Sequence, residues 1–383
     1  MINPQINVGV DEITLVLQVN KDYLHDDFDI DQDWGLIAKV ALSRFVQKSQ
    51  IEELFGEEFP IETCPKGYTH GFKYGNHSFY FAMAYHDMMP QMGIICKFSA
   101  QSWHSYRNLY EVHFNNKINI HNFMQNASDL MYSIRLSRID FYVDYINYDI
   151  TVDDLYSSLT RDPQSLVLKD QNGRSNYTEL TALERNLSVS TFYVGSKRGN
   201  SNSMLRVYDK KLEQTERFGF RLDEALKYRS WVRFEVVFRN IYAHQLSEIL
   251  LKDIDNDDKL QSLIAGKILE KFTLHNFNND EIHYLSGDLL KIKENEYQAL
   301  KSASTKDNDL NRSINYLTTT SGLNTTVYKI EKLWGENEVP RFFEYLQDSY
   351  KKTYEPNDNV HTWLRKHQSE MKQYSFREYL KKL

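Results

Sequence analysis

Three stretches of this chain alternate residue by residue between apolar and charged side chains. That pattern commits them to sheet, because a strand sends successive side chains to opposite faces and a helix does not. From Ser137 to Tyr145, one face is Ser137, Ile139, Phe141, Val143 and Tyr145, and the other is Arg138, Asp140, Tyr142 and Asp144. From Met204 to Lys210, Leu205 and Val207 oppose Met204, Arg206, Tyr208 and Lys210. From Trp231 to Phe238, Val232, Phe234, Val236 and Phe238 oppose Trp231, Arg233, Glu235 and Val237. Each strand has one face to bury and one that carries charge. If the three share an antiparallel sheet, the charged faces converge on one surface.

A tyrosine between two cations, as Tyr208 is between Arg206 and Lys210, suits attack on a phosphodiester. Phenol has a pKa of about 10 and is a poor nucleophile at neutral pH. Adjacent positive charge lowers the cost of the phenolate and screens the phosphate. The motif alone is weak, because most strand tyrosines are structural. Asp140 and Asp144 lie on one side of their strand, roughly 13 Å apart by its rise, too far to bind one ion directly unless the strand bends. With Glu235 they form a candidate carboxylate set for Mg²⁺ or Mn²⁺. The plainer alternative is a solvated sheet face with charge pairs such as Asp140 to Arg206.

The blocks Phe192-Tyr193-Val194-Gly195-Ser196-Lys197-Arg198, Arg206-Val207-Tyr208-Asp209-Lys210-Lys211 and Trp231-Val232-Arg233-Phe234-Glu235 together resemble the Rep_trans family. These are rolling-circle replication initiators of Gram-positive plasmids, and relaxases of some integrative conjugative elements are similar. The resemblance covers roughly 133–250. It implies a metal-dependent DNA strand transferase in which the residue matching Tyr208 nicks one strand at an origin. That residue becomes joined to the 5′ phosphate and leaves a 3′ hydroxyl primer, with later strand joining. Arg206, Lys210 and Arg233 are then the supporting catalytic residues, and Asp140, Asp144 and Glu235 the metal ligands. Family members often carry a second glutamate two residues after the first, where this chain has Val237.

Charge is distributed unevenly. Residues 191–240 hold 11 Lys and Arg against 6 Asp and Glu, whereas the whole chain has a net charge of −7. Aromatics interleave with those cations, a mixture that can stack bases while cations follow phosphates. Lys197, Arg198, Lys211 and Arg239 are the candidate DNA contacts, with duplex and single-stranded origin DNA as the partner. Two cysteines without metal spacing, no signal peptide and no long apolar run point to the cytoplasm and away from a membrane. No P-loop occurs, so strand opening would need supercoiling or a host helicase of the replicative or repair type. No His-hydrophobic-His motif of other rolling-circle nucleases occurs either. Strand closure needs a second nucleophile, either another subunit's tyrosine in a homodimer or an activated water. The alternatives to a replication initiator are a conjugative relaxase of the same chemistry and a non-catalytic origin-binding regulator.

The expected fold is α+β. An antiparallel catalytic sheet is built from two β-α-β-β-like halves, 1–125 and the nicking half 126–250. A mainly helical region, 251–383, follows for DNA specificity or partner binding. Patterning predicts a strand from Glu12 to Val19, a helix from Trp34 to Phe55, strands at Ser78–Tyr85 and Gly93–Phe98, and a helix from Ile120 to Ile134. It also predicts a short helix near Val152–Leu159 and a strand near Ser190–Val194. Asp162–Ser188 reads as an irregular loop over the active surface, and 311–334 as helix, turn, helix.

Overall fold

The three alternating stretches are neighbouring strands in a single sheet. The computed structural model describes residues 3–24, 30, 32–75, 81–161, 163–175, 179–185, 188–197, 201–252, 254, 256–293, 300, 310–356, 358–372 and 375–380. The first half begins with β1 (Gln5–Val19). Helices α1 (Trp34–Ser49) and α2 (Ile51–Phe55) precede β2 (Glu58–Pro60), β3 (His70–Tyr74), β4 (Phe81–Tyr85) and β5 (Ile94–Phe98). Helices α3 (Ala100–Phe114) and α4 (Ile120–Asn126) complete it. The second half runs through β6 (Tyr132–Ile146), α5 (Val152–Thr160), β7 (Leu166–Lys169), β8 (Leu180–Arg185), β9 (Ser188–Val194) and β10 (Ser203–Asp209). It ends with α6 (Lys210–Glu216), α7 (Leu222–Ala225), β11 (Trp231–Arg239) and α8 (Asn240–Lys252).

Ten strands form one antiparallel sheet in the order β2, β3, β4, β5, β1, β6, β11, β10, β9, β8. The opening strands of the two halves, β1 and β6, pair at the centre. Each is flanked on its outer side by the last strand of its own half, β5 or β11. The repeated β-α-β-β plan is therefore visible as near-twofold sheet order, and the chain is α+β.

The apolar faces of the alternating strands make the core. Phe141 and Phe238 meet edge to face at 5.5 Å, and Leu205, Val207 and Val236 are fully buried beside them. Helix α8 covers β6 and β11, with Leu246 and Leu250 buried. Each such side chain contributes about 1.5–3 kcal/mol through removal from water.

Chain contacts divide the protein into units 1–302 and 303–383. Helix α9 (Asp257–Lys271), strand β12 (Thr273–Asn276, paired with β7) and helix α10 (Tyr284–Leu290) belong to the first unit. Helix α9 packs on β1 and β6. The second unit holds α11 (Leu310–Asn315), a π-helical turn at Tyr316–Thr320, α12 (Leu323–Trp334), α13 (Glu338–Thr353), α14 (Asp358–Met371) and α15 (Phe376–Leu380). Helix α12 packs on α13, so the helix-turn-helix pattern continues into a larger helical array. Among the described residues no helix is long and apolar enough to cross a membrane.

Several elements differ from the sequence expectation. The helix expected over Trp34–Phe55 breaks at Gln50, which has φ 59° and at once ends α1 and starts α2. A side chain in that left-handed region costs about 1–2 kcal/mol. Gln50→Gly is expected to raise stability by about 0.5–1 kcal/mol net of its greater unfolded-state entropy, as a higher denaturant midpoint. The helix expected over Ile120–Ile134 stops at Asn126, and Tyr132, Ile134 and Leu136 instead extend β6 along the full length of β1. Long-range pairing overrides the local helical stripe there. The expected loop Asp162–Ser188 contains β7 and β8. Strand β1 begins at Gln5 and not Glu12, with a bulge between Val10 and Ile13.

Candidate active site

Antiparallel register aligns the charged faces. Asp144 lies opposite Arg233, Tyr142 opposite Glu235, and Asp140 opposite Val237 across β6 and β11. Across β11 and β10, Glu235 lies opposite Arg206 and Arg233 opposite Tyr208. Glu235 Oε2 accepts hydrogen bonds from Arg206 Nη2 at 2.6 Å and from Tyr208 Oη at 3.2 Å. The Arg206 guanidinium stacks 4.5 Å from the Tyr208 ring centre. Lys210 is not on the strand, as alternation suggested, but is the first residue of α6. Asp209 caps that helix by accepting from the Leu212 amide. The Lys210 ammonium still reaches 5.5 Å from the Tyr208 ring centre and donates to Glu213 at 2.6 Å.

Arg233 is the buried hub. It donates to both oxygens of Asp144, at 2.6 and 2.8 Å, and to Asp11 Oδ1 at 2.5 Å. Its guanidinium lies 3.8 Å over the Tyr142 ring. Asp11 comes from the bulge of β1, so the first half contributes directly to the site. Sequence reasoning missed it, because the strand was read as starting at Glu12. The pairing of a glycine with two successive acids at Gly9–Glu12 was the available sign of a bulge. Gly9 itself is constrained: a Cβ there would fall 2.6 Å from Tyr142 Oη. Gly9→Ala is therefore expected to push the Tyr142 ring from its place and to cost about 1–3 kcal/mol in equilibrium denaturation.

Burial dominates the electrostatics. Tyr208 is 4 % exposed. Burial first, and Glu235 second, push its phenol well above the ordinary tyrosine value, outweighing Arg233 and Arg206. This corrects the expectation that flanking cations make the phenol more acidic. Burial also raises Glu235, against the pull of Arg206, which makes its carboxylate a stronger base. Burial lowers the Lys210 ammonium, and Arg233 adds to that.

The three expected metal ligands do not converge. Both oxygens of Asp144 are taken by Arg233. Asp140 sits diagonally from Glu235 and is paired with Arg138 at 2.6 and 2.9 Å. Among the described residues no group of three His, Cys, Asp or Glu could hold a metal ion. Glu235 fits a mostly hydrated ion, the mode in which Mg²⁺ uses one or two carboxylates together with substrate phosphates, and Asp140 joins it only when Arg138 releases one of the two oxygens it holds. Glu235 Oε1 accepts no hydrogen bond from any described residue, and burial followed by Glu235 and Glu12 pushes Asp140 up to about 8 in spite of Arg138.

The replication initiation factor family, Rep_trans, matches residues 134–342. That is more than half of the chain, and it includes Asp140, Asp144, Arg206, Tyr208, Lys210, Arg233 and Glu235, while Asp11 lies outside it. The chain belongs to this family. Its fold is similar to the structure of a rolling circle replication initiator protein from Geobacillus stearothermophilus, with TM-score 0.53 and 14 % identity, over 78 % of this chain and all of that one. No curated protein matches it.

In this family member the candidate DNA contacts fall in different settings. A cavity of about 170 Å³ opens beside Tyr208 and Arg206, walled by Ser190, Thr191 and Tyr193. The Lys197 ammonium lies 3.6 Å from the Tyr193 ring centre, beside that cavity. Lys211 donates to the carbonyls of Tyr228 and Arg229 at 2.6 and 3.2 Å, tying α6 to the turn before β11. Arg239 is half-buried at the end of β11. Arg198 lies outside the described residues.

Proposed function

We propose that this initiation factor starts rolling-circle replication by nicking one strand of an origin through Tyr208. The observation that carries the reading is the Tyr208 hydroxyl donating to Glu235, between Arg206 and Arg233, beside a cavity. Because the phenol is held well above neutral pH, a standing phenolate is not available. Proton transfer must accompany attack. Glu235 Oε2 takes the proton as Tyr208 Oη bonds to phosphorus. The bond from phosphorus to the 3′ oxygen breaks, and that oxygen leaves with a proton from solvent as the primer hydroxyl. The 5′ phosphate stays on Tyr208. Arg206 and Lys210 balance phosphate charge, and Arg233 orients the face through Asp144 and Asp11. A divalent ion, Mg²⁺ or Mn²⁺, held by Asp140 and Glu235 would neutralise a non-bridging phosphate oxygen. Asp144 is left out of that ligand set because its partner Arg233 is fully buried, whereas the Arg138 side chain that holds both oxygens of Asp140 is 28 % exposed and can turn away to solvent.

In this reading residues 126–250 carry the chemistry, 1–125 add Asp11, and 251–383 choose the origin. Lys197, Arg198 and Arg239 follow the backbone of duplex and single-stranded origin DNA. A host helicase opens the duplex. A second subunit's tyrosine or an activated water closes the strand. A conjugative relaxase would use the same steps. The burial of Tyr208 favours one further reading, an origin-binding regulator without chemistry.

The test is supercoiled plasmid carrying this gene and its flanks, incubated with Mg²⁺ or Mn²⁺. Nicked circles with DNA-linked protein, abolished by EDTA, are expected. Specific binding without nicking would transfer the conclusion to the regulator.

A further inference from the structure

A second cavity, of about 150 Å³, lies at the edge of β1 formed by Val8, Gly9 and Val10, beyond the point at Ile13 where β5 ceases to pair. Its character is unlike that of the Tyr208 site. The walls are aliphatic, from Val8, Val10, Ile120, Leu260 and Ile264, and flat, from Trp103 and Tyr142. Mixed polar groups also line it: Arg107, the carboxylate of Asp257, and the carboxamides of Asn119 and Gln261. Trp103 is 1 % exposed, and its indole N–H, itself out of reach of solvent, has no partner among the described residues. Arg107 and Gln261 make no hydrogen bond or ion pair among the described residues, whereas Asp257 accepts from Asn119 at 2.7 Å.

A lone oxyanion would not call for aliphatic walls or a carboxylate. A purely apolar guest would offer nothing to the Arg107 and Gln261 side chains. A cavity of about 150 Å³ accommodates a benzene-sized ring. A single heteroaromatic ring with donors and acceptors on its edge satisfies all of these groups. Such a pocket resembles in kind those that read an unstacked base by its edge between apolar and aromatic walls. The location suits a strand already engaged at Tyr208. Tyr142 lines this cavity and stacks on Arg233, and β1 lies three strand spacings from β10, about 14 Å.

We propose that this cavity takes one pyrimidine-sized base of the bound single strand, unstacked a few nucleotides from the attacked phosphate. The inference rests on the reading of Tyr208 as the DNA-processing site. The ring lies between the aliphatic and aromatic walls, and Arg107, Asn119 and Gln261 read its edge. The pocket thereby selects the base at one position and sets the strand's register over Tyr208.

The test uses full-length Tyr208→Phe protein, so that it does not depend on nicking. Single-stranded oligonucleotides tiled from the gene's flanks are scanned with an abasic site, and binding is read by fluorescence anisotropy. Removing one base is expected to weaken binding by roughly five- to a hundredfold, the range for one stacked base, while neighbouring positions change little. Arg107→Ala and Gln261→Ala, both at exposed side chains, should weaken the intact strand and erase the difference at that position alone. Equal losses at all positions, or the same loss in both variants, would overturn the proposal. Competition by free thymidine or cytidine with no position-dependent loss would also overturn it, assigning the cavity to a free nucleoside. A wild-type protein that binds with one base-dependent position but never nicks would defeat the catalytic reading and leave the base pocket standing.

Discussion

Tyr208→Phe is expected to abolish strand cleavage and the protein–DNA adduct, a loss on the order of 10⁴-fold or more, as for removal of a nucleophile. The same variant should bind origin DNA as before. Phe keeps the ring under Arg206, and among the described residues the hydrogen bond lost is the one to Glu235 at 3.2 Å, worth about 0.5–1.5 kcal/mol. Glu235 also remains held by Arg206 at 2.6 Å. The expected signature is therefore a separation of function, with unchanged anisotropy titrations and no nicked circles. Equal cleavage by both proteins would place the nucleophile elsewhere in the chain.

Arg233→Ala should be the most destabilising single change at the site. Arg233 neutralises Asp144 with two hydrogen bonds and reaches Asp11 with a third. Removing it leaves the buried Asp144 with only Arg221 at 3.8 Å and deprives the part-buried Asp11 of its partner, and breaking a buried pair typically costs about 3–5 kcal/mol out of a domain stability of about 5–15 kcal/mol. Arg233→Lys should recover little, because an ammonium cannot offer the planar fork that Asp144 occupies. Pairing Arg233→Ala with Asp144→Asn should cost less than the sum of the single changes, since one stranded charge goes with its partner. Urea denaturation of the four proteins measures this. Full additivity would mean that the pair is not coupled.

Sequence periodicity identified the chemistry-bearing faces because a strand's period of two is local and unambiguous. Asp140, Tyr142, Asp144, Arg206, Tyr208, Arg233 and Glu235 all face the side that alternation assigned. It failed where the deciding interaction was distant. The stretch after Asn126 carries a helical stripe, yet β1 captures Tyr132 onward as strand. Asp11 enters the site only because β1 bulges. Lys210 is a local exception: it left the strand because Asp209 caps a helix at that point. Electrostatics failed for a related reason. Neighbouring cations along the chain suggested an acidified phenol, but the magnitude depends on desolvation, and burial under α6 and between strands is a property of the fold.

The sequence by itself determined that this chain makes an antiparallel sheet with one loaded face and which side chains stand on it, since backbone geometry alone dictates the alternation. It also carried the three blocks that mark the family. The tertiary structure decided the register that sets Glu235 against Arg206, the central pairing of β1 with β6 that brings Asp11 to Arg233, and the division of carboxylates between guanidinium pairing and ion binding. Those depend on contacts between segments from 29 to 222 residues apart and on exclusion of water, and neither is written in local pattern.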